Sequence, residues 1–210
     1  MTRRVIIASL LIASSQAPPA FARQDSVVYV IGPASRFEVT AHKSGVFSFV
    51  GHEHLVRARF FTGRIVYVPS APERSHFDLV IPTDSLEVLT PPDTDEIRKV
   101  TAAMRADVLD VAHYPEIRFA STALERSADG FRVTGRLTMV GATQEVTVDV
   151  RTAVGPDTLR ATGEFEVKQT AFGIHPYHGG PGGLVRVADQ ITFHFEAIGL
   201  ACGHSCAPER

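Results

Sequence analysis

Apolar and polar residues alternate with a period of two along most of the chain, and the alternation is cleanest over residues 131–150. Phe131, Val133, Gly135, Leu137 and Met139 fall on one side of the pattern, Arg132, Thr134, Arg136 and Thr138 on the other. Beyond a turn expected at Gly141-Ala142, Val146, Val148 and Val150 repeat the apolar phase against Glu145, Thr147, Asp149 and Arg151. Successive side chains of a strand point to opposite faces, so this stretch predicts a hairpin with one dry and one wet face. Two strands alone are marginal in water, so the dry face requires further strands or a helix.

The rest of the chain supplies both. Short strands are predicted over residues 27–31 and 36–42, broken at Gly32-Pro33, and over 46–50 and 55–59, flanking Gly51-His52-Glu53-His54. Residues 60–68 continue the pattern, with Gly63 expected to mark a bend or bulge, and Phe77, Leu79 and Ile81 alternate up to Pro82. Residues 93–108 predict one helix: Pro91-Pro92 precede it, Asp93 is placed to cap it and Glu96 follows three residues on. Ile97, Val100, Met104, Val108 and Val111 are spaced to form one apolar stripe. Alternation resumes at Ile117 and Phe119, and again through Leu159, Ala161, Gly163, Phe165 and Val167. It ends with Val187, Ile191, Phe193, Phe195 and Ala197. No repeat or linker divides the chain. About eight antiparallel strands with one helix make an all-β domain, either two packed sheets or a closed barrel, and alternation alone does not choose.

At 210 residues and 44% hydrophobic, the chain is long enough for one domain with a substantial core. Its first residues read as an export signal: Arg3 and Arg4, an apolar run over residues 5–15 too short to span a bilayer, then Ala20-Phe21-Ala22 with small residues where a signal peptidase reads. Cleavage is expected after Ala22, giving a periplasmic or secreted protein. With no cysteine at that junction a lipid anchor is not expected. Losing Arg3 and Arg4 takes Lys and Arg from 21 to 19 against 23 Asp and Glu, a formal charge of −4. Such a chain lacks the basic footprint for nucleic acid and the polybasic patch that holds proteins on anionic lipid. Cys202 and Cys206 are the two cysteines; in an oxidising compartment they predict a disulfide, the rival reading being a metal-binding or redox tail with His204 between them.

The dry face mixes small residues (Gly135, Ala161, Gly163, Ala197) with Leu137, Phe165, Phe193 and Phe195. Small inward positions suit an interior left open for an apolar guest. They equally suit glycines that bend barrel strands around a side-chain-filled core. Histidine is abundant, nine in all. His52 and His54 fall on one face of a strand, and His175 and His178 flank Pro176-Tyr177, so a zinc or copper site is expected if the fold joins the pairs. The bland reading is polar rim residues at a barrel mouth. No H-E-x-x-H, G-x-S-x-G, phosphate-cradling glycine motif or C-x-x-C is present, and His113 and Asp189 have no evident catalytic partner, so the chain is not read as an enzyme.

Four stretches in order carry a resemblance: Gly63 with Ile65, H-Y-P-E-I-R-F-A-S-T from His113, V-x-G-x-L-T-M-x-G-x-T-x-x-V from Val133, and Q-T-A-F-G-I from Gln169 followed by V-A-D-Q-I-T-F from Val187. Together they resemble the YceI-like, polyisoprenoid-binding family of periplasmic proteins over roughly residues 28–198. The resemblance implies an extended, eight-stranded, lipocalin-like barrel spanning residues 23–199, with residues 1–22 a signal and 200–210 a tail. It further implies an apolar tunnel carrying an isoprenoid lipid or quinone, with no other cofactor. The alternation selects Phe119, Leu137, Met139, Val148, Phe165, Phe193 and Phe195 to line it. Stable membrane insertion is not expected, and a homodimer is compatible with the sequence. The alternatives are a His-rich metal or redox accessory protein and a side-chain-filled barrel acting through its surface.

Overall fold

The computed structural model describes residues 26–44, 53–90, 94–179 and 185–202. Twelve strands form one sheet system: β1 (Val27–Ile31), β2 (Arg36–Lys43), β3 (His54–Ala58), β4 (Thr62–Tyr67), β5 (His76–Pro82), β6 (Leu86–Val88), β7 (Glu116–Ser127), β8 (Gly130–Met139), β9 (Ala142–Val154), β10 (Thr158–Lys168), the two-residue β11 (His178–Gly179) and β12 (Val185–Ala201). Neighbours run antiparallel in the order β1-β4-β5-β7-β8-β9-β10-β12, and β12 pairs back with β1, closing an eight-stranded barrel. The predicted strand over 46–50, the Asp93 cap and the export signal lie outside the described residues.

The barrel is tall because three of its walls are made of two strands in line. β1 continues into β2, β3 into β4 and β5 into β6, each pair broken by a kink. Hydroxyl side chains supply the hydrogen bonds that the kinks remove from the ladder. Ser35 Oγ accepts from Ile198 N–H at 2.9 Å. Ser85 Oγ lies within hydrogen-bond distance of the Phe60 and Pro82 carbonyls, at 3.1 and 2.7 Å. Thr83 donates through Oγ1 to Tyr114 O and through N–H to Pro115 O, both at 2.9 Å. All three are buried. An unpaired buried polar group costs about 1–3 kcal/mol, so these small hydroxyls are what makes kinks in a buried wall tolerable.

The central hairpin is β8–β9, in register from Gly130↔Arg151 to Met139↔Ala142. Its turn is therefore Val140-Gly141, one residue earlier than alternation suggested. A two-residue type I′ hairpin turn needs positive φ at both central positions, and Val140 (φ 47) and Gly141 (φ 74) have it. On the wet face, Arg132 pairs with Asp149 at 3.0 Å and Thr138 with Thr143 at 2.8 Å. Such pairs contribute about 0.2–1 kcal/mol each. The buried Leu137, Met139 and Val148 on the dry face contribute about 1.5–3 kcal/mol apiece, so the interior decides the register.

The helix is shorter than its stripe. α1 spans Thr94–Ala103 and widens into one π-helical turn over Met104–Val108. Met104, Val108 and Val111 pack on the core, whereas Ile97 and Val100 stay half-buried outside it. Arg105 reaches back to the Asp84 carbonyl at 2.7 Å, holding the segment across the seam between β6 and β7, which have no ladder.

Two further expectations shift. Register passes through Gly63 without a break (Gly63↔Leu79). A Cβ there would lie 2.7 Å from Asp78 O, so close backbone approach, rather than a bulge, calls for glycine. Register shifts fall instead between Ser121 and Ala123 on β7 and between Val187 and Ile191 on β12. The last strand runs to Ala201, two residues past the expected boundary at Gly199, with Ala201 N–H on Asp157 O and Cys202 N–H on Val28 O, both at 2.8 Å. Cys202 is disulfide-bonded; Cys206 lies outside the described residues.

One of the two readings of Gly135 and Gly163 has them hold the interior open. The space beside each is taken by a ring: a Cβ on Gly135 would lie 2.3 Å from Phe119 Cζ and 2.9 Å from Ala120 O, and one on Gly163 would lie 2.8 Å from Phe195 Cζ. Neither glycine has positive φ, so the rings and not the backbone angles exclude a side chain. Gly135→Ala should overpack the wall and destabilise by about 1–3 kcal/mol. Adding Phe119→Leu should recover part of that loss, measured by thermal unfolding. An unaffected Gly135→Ala would show that the ring does not fill that space.

Candidate functional site

Within the barrel lies a cavity of about 250 Å³. It runs from Pro72 and Ser75, at the β4–β5 connection, to Met104, Val108 and Leu109 below the helix and Gln169 and Ile174 after β10. Phe119, Leu137, Met139, Val148, Phe165, Phe193 and Phe195 all stand on its wall. Strand alternation brings them together because an antiparallel closed sheet sends every second side chain inward. Phe165 and Phe193, directly opposed across β10 and β12, stack with centroids 4.9 Å apart and planes 7° from parallel.

The wall also contains residues that alternation marked as apolar but did not assign to a tunnel. Phe37, Val39 and Ala41 of β2 and Val56 of β3 line it, as do Met104 and Val108. The signal for β2 was present in its period-two pattern. That for the helix residues was the stripe, but which half of it met the tunnel depended on where the helix widened.

The chemistry of the wall is nearly uniform. Glu38 and His194 border the cavity, yet their polar ends pair outside it. Glu38 Oε1 is 2.6 Å from Arg57, and His194 Nδ1 is 3.3 Å from Glu164. A dry apolar cavity of roughly 150 Å³ already takes up small hydrocarbons in preference to water. This one is larger and equally apolar, so its fitting guest is a hydrocarbon chain.

Both ends are tied down. At the β4–β5 end, Val68 N–H donates to the buried Ser75 Oγ at 3.0 Å. At the helix end, the turn Gln169–Phe172 folds over the strands, with Phe172 only 2% exposed. Gln169, also buried, donates to Ala188 O at 2.7 Å. Asp189 accepts from Thr170 N–H at 2.9 Å and from Thr170 Oγ1 at 2.8 Å. These bonds hold the Asp189 carboxyl below the usual carboxylate range, the backbone N–H contributing most. Asp189 thus clamps the turn to β12.

The histidines do not form a metal centre among the described residues, where no group of three or more His, Cys, Asp and Glu side chains converges. His54 Nδ1 is 3.0 Å from Thr90 O. His178 pairs with Arg186 through β11, at the same end of the barrel as His54, and His175 lies between that strand and the Gln169–Phe172 turn; His52 is outside the described residues. His113 sits 2.8 Å from Asp110 in the turn after the helix. One line of residues has the layout of a hydrolase: Thr192 Oγ1 and Glu53 Oε1 each lie 3.0 Å from His42, on Nε2 and Nδ1. Thr192, however, is mid-strand with β10 and β2 paired on either side, and Glu166 Oε1 is 3.5 Å from its hydroxyl. The hydroxyl is shared between His42 on β2 and Glu166 on β10, so this line is a cross-strand lock.

An eight-stranded antiparallel barrel closed around an apolar tunnel defines a lipocalin-like binding barrel. Comparison with known proteins narrows the class: the profile of the YceI-like domain matches residues 34–198, and the chain belongs to that family. Protein YceI of Salmonella newport (strain SL254) is 26% identical over 134 residues, covering 60% of this chain and 67% of the relative. Among solved structures, BcnA of Burkholderia cenocepacia superposes with a TM-score of 0.64 at 20% identity, over 80% of this chain and 98% of that one. A polyisoprenoid-binding domain from Saccharophagus degradans gives 0.60 at 11% identity, over 83% and 98%.

The Asp189 clamp has a pH signature. A carboxyl whose folded pKa is depressed contributes stability that is present above the unfolded value near ~3.9 and is lost as pH falls through the folded one. Asp189→Asn should therefore lower Tm at pH 7, with the gap to wild type closing as both are acidified below that range. A gap that stays constant with pH would show the carboxylate charge to be irrelevant to the clamp.

Proposed function

We propose that this protein is an exported binding and carrier protein for a long-chain isoprenoid lipid or quinone, held in the barrel tunnel. The observation that carries this reading is the continuous apolar wall from Pro72 to Ile174. It is supported by membership of the YceI-like family and by a structural neighbour described as polyisoprenoid-binding. The mature chain would begin at Arg23 and act in the periplasm, shielding the chain from water. No step of covalent chemistry is assigned, because among the described residues the tunnel wall holds no nucleophile with an aligned base. No helix among the described residues is long and apolar enough to cross a membrane.

The energetics set a test. Burying each methylene contributes about 0.8 kcal/mol, so affinity should climb steeply with chain length until the tunnel is full. Delipidated protein titrated with geraniol, farnesol and geranylgeraniol should bind each at least about tenfold more tightly than the last, then level off. Ala161→Phe, which puts a ring into the wall beside Leu159, should bring the plateau to a shorter chain. Affinity independent of chain length would contradict burial in a tunnel.

A further inference from the structure

The wall between β9 and β10 is only half closed. Leu159–Gly163 of β10 pair with Val154–Val150 of β9. Beyond that, residues 164–168 pair with β12 and residues 142–149 with β8, but not with each other. At the far end of this seam the Gln169–Phe172 turn covers the gap, with Gln144 Nε2 donating to Ala171 O at 2.6 Å. Between that contact and Gly163 the two strands share no ladder.

A cleft of about 780 Å³ lies on the outer face where the β9–β10 ladder ends, bordered by Asp149, Arg151, Thr162 and Glu164. Val150 and Phe195 border both this cleft and the tunnel. Both are inward residues paired with Gly163, so here cleft and tunnel meet across a position that has no side chain. The Phe195 ring lies against Gly163 and forms the partition. A change of the Phe195 rotamer breaks no backbone hydrogen bond, so this partition can move while the barrel stays closed.

The cleft also has hydrogen-bond donors to spare. Arg151, Thr162, Glu196 and Arg36 form one cross-strand row on the outer face. Glu196 is paired with Arg160. Arg36 and Arg151 have no ion-pair partner among the described residues.

We propose that the β9–β10 seam is a lateral portal. A single isoprenoid chain passes between the strands beside Phe195, and its oxygen-bearing head group stays in the outer cleft with Arg36 and Arg151. This rests on the tunnel being a chain-binding site and adds a route and a place for the head group.

The test uses all-trans-retinol and retinoic acid, isoprenoid chains with an alcohol and a carboxylate head, whose fluorescence or absorbance changes on burial. Glu164→Cys, exposed in the cleft, is labelled with a bulky maleimide; His76→Cys, exposed on β5 across the barrel, is labelled as the control. The cleft adduct should load retinol about tenfold more slowly than the control adduct, as expected when a gate limits the rate. Phe195→Ala should load faster than wild type. Arg36→Gln with Arg151→Gln should weaken retinoic acid about tenfold, and retinol less, as loss of charge-assisted bonds requires. Equal loading by the two adducts overturns the portal and leaves the tunnel reading standing. Unchanged retinoic acid affinity in the double variant overturns the head-group placement. A wild type that takes up neither molecule overturns portal and tunnel together.

Discussion

Everything in this barrel depends on β12. It pairs with β10 from Gln190 to Leu200 on one edge, and with β2 and then β1 on the other. The strand that seals the cylinder is also the one that furnishes it: Ile191, Phe193, Phe195 and Ala197 point into the tunnel, while His194 and Glu196 pair along the outside. Closure and lining are one set of contacts between the beginning and end of the chain. Contacts so distant in sequence make folding slow, and a barrel with its last strand unpaired would expose both its edges.

The second constraint is that a wall with polar backbone must surround an interior with almost no polar group. Where the ladder is continuous the backbone satisfies itself. Where it breaks, something else intervenes: Ser35, Thr83 and Ser85 at the kinks, Arg105 and the helix at the β6–β7 seam, and the Gln169–Phe172 turn with Asp189 and Gln144 at the β9–β10 seam. No buried side-chain nitrogen or oxygen among the described residues lacks a partner. The tunnel stays apolar because polar repairs are made from its outer side or at its ends.

Much of this was legible beforehand, for a physical reason. Which face a strand residue takes depends only on its own position in the alternation, so the seven proposed lining residues could be chosen without knowing any partner. What a residue touches depends on register and shear, which alternation does not contain. Gly163 and Phe195 read simply as small and large inward residues. That one lies across the other, on the rim of a half-paired seam, follows only once β9, β10 and β12 are in register. The Val140-Gly141 turn was displaced for a similar reason, since glycine marks the second left-handed position and a β-branched residue rarely takes the first. The helix stripe was right in spacing but silent on where the π-helical turn would divide it. The resemblance contributed what pattern could not, a closed barrel rather than two stacked sheets.

The proposed tunnel holds one apolar chain. Native mass spectrometry of the protein purified from an exporting host, without a delipidation step, tests it most directly. The expected result is a polypeptide beginning at Arg23 carrying one non-covalent adduct that extracts into organic solvent as an isoprenoid. A bare polypeptide mass, unchanged after incubation with excess farnesol, would contradict it.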